Sequence, residues 1–73
     1  MIVKTHRSTY IFSVRNGEIY MMHGTREYLV PNIPEIAIGK PMQFVAYQLN
    51  MYSCIPSDEE TLFRTSSVES IKM

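Results

Sequence analysis

The sequence predicts an all-β domain, either a small SH3-like barrel or a strongly curved meander sheet of five to six short strands. Three observations predict it. Asn16-Gly17 sits between two alternating runs, Thr9–Arg15 and Glu18–His23, and Asn-Gly is the strongest short-range signal for a two-residue hairpin. The run Met42–Leu49 carries apolar side chains at both parities, so a strand there is central or curves across a barrel. Helical signals are weak throughout, and the apolar stretch "EIAIGKPMQFVAY" is broken by Gly39 and Pro41.

Met1–Thr5, "MIVKT", is the first predicted strand. The two-residue turn then fixes the hairpin register: Arg15 faces Glu18, Val14 Ile19, Ser13 Tyr20, Phe12 Met21, Ile11 Met22 and Tyr10 His23. Alternation sorts these pairs onto two faces. Tyr10, Phe12, Val14, Ile19, Met21 and His23 make a core face. Arg15, Glu18, Ser13, Tyr20, Ile11 and Met22 make a second face, polar near the turn and apolar farther away. Gly24–Glu35 reads as a long connection, because Pro31 and Pro34 exclude a central strand. Its Tyr28, Leu29, Val30 and Ile33 are too apolar for free water and are expected to fold over the open half of the second face.

Ile36–Lys40 is extended, and Pro41 opens the long strand Met42–Leu49, which Asn50–Ile55 is expected to continue. Pro56–Glu60, "PSDEE", is an acidic loop in which Ser57 and Glu60 match a capping box, enough for one helical turn. Thr61–Thr65 is a strand, Ser66-Ser67 a turn and Val68–Ile71 a closing strand. Closing such a meander into a barrel removes exposed edges. An OB-like barrel needs an intervening helix that this chain lacks. The rival is an open sheet that dimerises through the Tyr20/Met22 face.

At 73 residues the chain is a single domain, near the size at which one core barely outweighs chain entropy. Seven basic residues balance seven acidic ones, which counts against bulk nucleic-acid binding but leaves room for a local patch. One cysteine, Cys54, permits neither an internal disulfide nor a cysteine-rich zinc site. No apolar run approaches a bilayer span, and "MIVKTHRSTY" has no apolar signal core, so the expectation is a cytoplasmic protein with no membrane partner. Six Met and five Tyr with no Trp suit an adaptable interface.

Three pieces, Ser8-Thr9-Tyr10, "IGKPMQF" at Ile38–Phe44 and "RTSSVESI" at Arg64–Ile71, carry a likeness. With its Ser-Thr-Tyr strand and Thr-Ser-x-Val-x-x-Ile ending, the chain resembles small β proteins of mycobacterial-type bacteriophages and actinobacteria. The likeness covers about half of the chain. It implies a phage or prophage origin, with the host cytoplasm or the virion as location, and no catalytic residue.

No constellation for chemistry is found. His6 and His23 lack converging ligands, so no metal site is predicted. His23 is expected as a hydrogen-bonded edge residue opposite Tyr10, and His6 as solvated beside Lys4 and Arg7. Cys54 in "YSCIP" has no cation to stabilise a thiolate. Gly17, Gly24 and Gly39 are isolated, which excludes a phosphate-cradling loop. The expectation is no enzyme and no cofactor. The chain reads as an accessory protein that binds a protein partner, a host factor it inhibits or modulates, through its Tyr/Met-rich face. Ile11, Tyr20, Met22, Tyr47 and Tyr52 are the predicted contacts, with Asp58, Glu59 and Glu60 as a charged rim. The alternatives are a minor virion or self-assembling component, and a small barrel binding single-stranded nucleic acid. In the last, Lys4, His6, Arg7, Arg15 and Arg26 form a basic edge with Tyr10, Tyr20 and Tyr28 as stacking platforms.

Overall fold

The computed structural model describes residues 1–73 as a closed antiparallel barrel of six strands, with no helix. The strands are β1 (Ile2–Thr5), β2 (Thr9–Arg15), β3 (Glu18–His23), β4 (Arg26–Val30), β5 (Pro41–Gln48) and β6 (Thr61–Lys72). Each pairs with its sequence neighbour, and β6 returns to β1. This all-β architecture is consistent with a small SH3-like barrel. Closure leaves no long free edge.

The β2–β3 hairpin forms in the register the turn dictates, from Arg15↔Glu18 through Ile11↔Met22. Asn16 and Gly17 both take positive φ, 52° and 78°, as a type I′ turn requires. The next segment differs from expectation. Arg26–Val30 is not a connection but a strand, paired with β3 from Ile19↔Val30 to His23↔Arg26. Gly24 has φ +64° and Thr25 is not left-handed, the sign pattern of a type II′ turn, so a second tight hairpin forms. Pro31 ends this strand from just outside it and does not prevent it.

β6 also differs. Ser66-Ser67 is not a turn, and one twelve-residue strand replaces the two expected pieces. Its first half pairs with β5, from Ala46↔Thr61 to Pro41↔Ser67, and its second half pairs with β1, from Thr5↔Val68 to Ile2↔Lys72. Register shifts at Pro41/Gln43 and at Lys4/Thr5 mark where the strand bends from one neighbour to the other. Asn50–Ile55 does not extend β5. Asn50 Oδ1 accepts from the Tyr52 and Ser53 amides at 2.8 and 3.2 Å, which turns the chain there. No helical turn forms at the acidic loop either: Ser57 Oγ accepts from the Glu59 amide at 3.1 Å. Ile36–Lys40 is irregular, held to β6 by the Ile38↔Val68 bridge.

The core fills the barrel. Val3, Met21, Val30, Met42, Ala46 and Val68 are at most 1% exposed, with Tyr10, Phe12, Tyr28 and Phe44 nearly so. Fully burying a Val or Met side chain contributes about 1.5–3 kcal/mol. Phe44 stacks on Phe63 at 5.1 Å between centroids and meets Phe12 edge-on at 5.7 Å, while Tyr28 meets Phe63 edge-on at 4.9 Å. The one buried polar residue, Thr5, is satisfied: its hydroxyl donates to the Ser8 carbonyl and accepts the Ser8 amide, both at 3.1 Å. Tyr28 and Val30 therefore point inward and do not cover the second face of the hairpin, and Ile33 is half exposed. Val14 has the parity of the core face but is 70% exposed, because the hairpin tip projects beyond the end of the barrel. Along β5 only one face is fully buried. Phe44 is inside, whereas Val45 and Tyr47 are half-buried and Gln43 is exposed.

Candidate functional site

Strand periodicity puts Ile2, Ile11 and Met22 on the outside of the barrel, and two registers bring them together: Ile2↔Ile11 and Ile11↔Met22. They form a row across β1, β2 and β3, exposed by 41%, 43% and 42%. A second row runs beside it from Tyr20 to Leu29 to Tyr47, through the pairs Tyr20↔Leu29 and Leu29↔Tyr47. These three are half-buried. Farther round, Val45 pairs with Leu62, itself 49% exposed. The outer surface thus carries an apolar belt that no segment of the chain covers.

Charged groups edge the belt. Arg15 pairs with Glu27 at 2.8 Å and lies over the Tyr20 ring, 4.1 Å from its centroid. The Glu27 hydrogen bond holds the Arg15 guanidinium above its ordinary pKa, against the opposing effect of desolvation. The Tyr20 hydroxyl donates to Glu18 Oε2 at 2.8 Å, and that bond, with desolvation and the Glu18 charge, raises its pKa. Tyr47 donates to Glu60 Oε2 at 3.2 Å, which raises its pKa in the same way. Both phenols thereby have their polar tip fixed on a carboxylate.

Of the predicted contacts, Ile11, Tyr20, Met22 and Tyr47 share this outer face, and Glu60 joins it through Tyr47. Tyr52 does not lie on the sheet: it is 96% exposed in the Met51–Ser53 turn. Asp58 and Glu59 are exposed in the loop before β6. Ile2, Leu29 and Leu62 were missed by sequence reasoning. Period-two parity alone would have found Leu29 once β4 was recognised as a strand.

The basic edge with stacking tyrosines does not assemble. Tyr10 and Tyr28 are only 6% exposed, and Arg15 is held by Glu27 at the opposite end of β2 from Arg7. His23 does not hydrogen-bond Tyr10; their rings stack at 4.5 Å, 13° from parallel. His6 is exposed and makes one long contact with Glu69, 3.8 Å. No three His, Cys, Asp or Glu side chains converge as metal ligands. Neither protein-family models nor curated proteins nor solved structures give a match to this chain.

Proposed function

We propose that the chain is a non-enzymatic binding module that docks a protein partner on the outer face of β1–β3. The half-exposed aliphatic row Ile2–Ile11–Met22 carries this reading. Three such side chains adjacent on a closed barrel offer an apolar centre, and the neighbouring Tyr20 and Tyr47 add aromatic area with polar tips. Interface hot spots favour this combination at the centre with charge at the rim, here Glu18, Glu27, Arg15 and Glu60. The likeness to phage proteins makes the partner a host factor or another phage protein, met in the host cytoplasm.

The test places a photocrosslinking residue at Met22 and, as control, at Ile38, an aliphatic 66% exposed elsewhere on the surface. The reading expects one protein adduct from position 22 that is absent from position 38. The purified partner then binds the wild type and loses at least tenfold in affinity to Met22→Asp. Adducts only between copies of this chain would instead indicate a self-assembling component. Equal labelling from both positions would remove the reading.

A further inference from the structure

The β1–β2 loop and the bend of β6 lie side by side and together line a cleft of about 770 Å³. It is lined on one side by His6, Arg7 and Ser8 and on the other by Arg64, Ser66 and Ser67. Both walls are tied in place. The His6 amide donates to the Ser67 carbonyl at 3.1 Å, and the Arg7 amide donates to Ser66 Oγ at 3.1 Å. The bend exists because β6 changes partner from β5 to β1, so the barrel closure itself holds these residues together.

We propose that this cleft binds the phosphate group of a nucleotide or of a nucleic-acid strand. Neither Arg7 nor Arg64 has a carboxylate within salt-bridge distance, in contrast to Arg15. Two unpaired arginines line one cleft, and the planar fork of a guanidinium is the group best suited to take a phosphate. The hydroxyls complete the donor set. Ser66 accepts the Arg7 amide, so its own proton is free to donate, while the Ser8 and Ser67 hydroxyls make no bond within the chain. Glu69 is the one carboxylate on the cleft, and its neighbour is His6 at 3.8 Å, not an arginine. The contacts on offer are to phosphate: of the two rings on the wall, Tyr10 is 6% exposed and has His23 stacked on it, and the exposed His6 ring has Glu69 as its neighbour at 3.8 Å. Phosphate contacts of this kind carry no sequence preference.

The experiment is an amide NMR titration of the intact chain at low salt, with inorganic phosphate, AMP and a ten-residue oligothymidylate as three separate probes. Saturable shifts confined to residues 6–8 and 64–67 are expected. Arg7→Gln and Arg64→Gln, both exposed positions, each lower phosphate affinity about tenfold, as expected for loss of one charge-assisted contact. Met22→Asp leaves the titration unchanged, which separates this site from the protein-docking face. Tighter, salt-dependent binding of the oligothymidylate makes a strand the natural ligand, and equal or weaker binding makes it a mononucleotide. No saturable shift with any probe, or shifts that survive both substitutions, would overturn the proposal.

Discussion

Replacing Phe44 by Ala tests which side chains the barrel holds inside. Phe44 is 6% exposed and contacts Phe12, Tyr10 and Phe63 through its ring. Truncation removes the stack on Phe63 and leaves a cavity walled by strands that cannot collapse without breaking the ladder. Such a change costs about 3–5 kcal/mol. A chain of 73 residues has a total stability of about 4–11 kcal/mol at the usual value per residue, so much of it is lost. The expected fall in melting temperature is at least about 12 °C, at about 4–8 °C per kcal/mol for a domain of this size. Val14→Ala is the control: alternation gives Val14 the same parity as Phe12, yet it is 70% exposed, and its loss is expected within about 0.5 kcal/mol. Urea titrations followed by near-ultraviolet circular dichroism measure both, with an unchanged slope showing that stability alone moved. A cost below about 1 kcal/mol for Phe44→Ala, or an equal cost for Val14→Ala, would refute the inside–outside assignment.

Two further outcomes follow from the site and its loops. Tyr20 and Tyr47 have folded pKa values above the unfolded value of about 10, so the stability they contribute is complete below that value. It is lost as pH rises through the folded value. Absorbance titration at 295 nm should therefore show one phenol that ionises earlier in Glu18→Gln than in the wild type and another that does so in Glu60→Gln; no movement in either variant would contradict these hydrogen bonds. Cys54 is held at φ +56°, where a side chain is strained, so Cys54→Gly is expected to leave stability unchanged or raise it by up to about 1 kcal/mol in thermal unfolding. A loss above that amount would mean that the side chain packs against something.

The sequence was most informative where the determinants are local. Asn16-Gly17 sets the hairpin register, and with it the shared face of Ile11, Tyr20 and Met22. Gly24-Thr25 is a weaker turn signal, and Pro31 lies close enough to mask the strand it terminates, so the local sequence of β4 resembles a connection. The continuity of β6 depends on a change of partner between β5 and β1. That is a nonlocal event, and Ser66-Ser67 by themselves look like a turn. The outer face is legible where strand parity decides it, as for Ile11, Tyr20, Met22 and Tyr47. Tyr52, Asp58 and Glu59 lie on loops, where residue type suggests contact but parity assigns no face. The cleft of Arg7 and Arg64 joins residues far apart in the chain, which no spacing rule connects.

Closure decides between a barrel whose outer belt is free and an open sheet completed by another copy. Cross-strand backbone NOEs between Val3 and Ile71 and between Ile2 and Lys72 report it directly. A mixed sample of isotope-labelled and unlabelled chains separates contacts within one molecule from contacts between two. The barrel expects both NOEs within a single chain. Their absence, or their appearance only between chains, would contradict it.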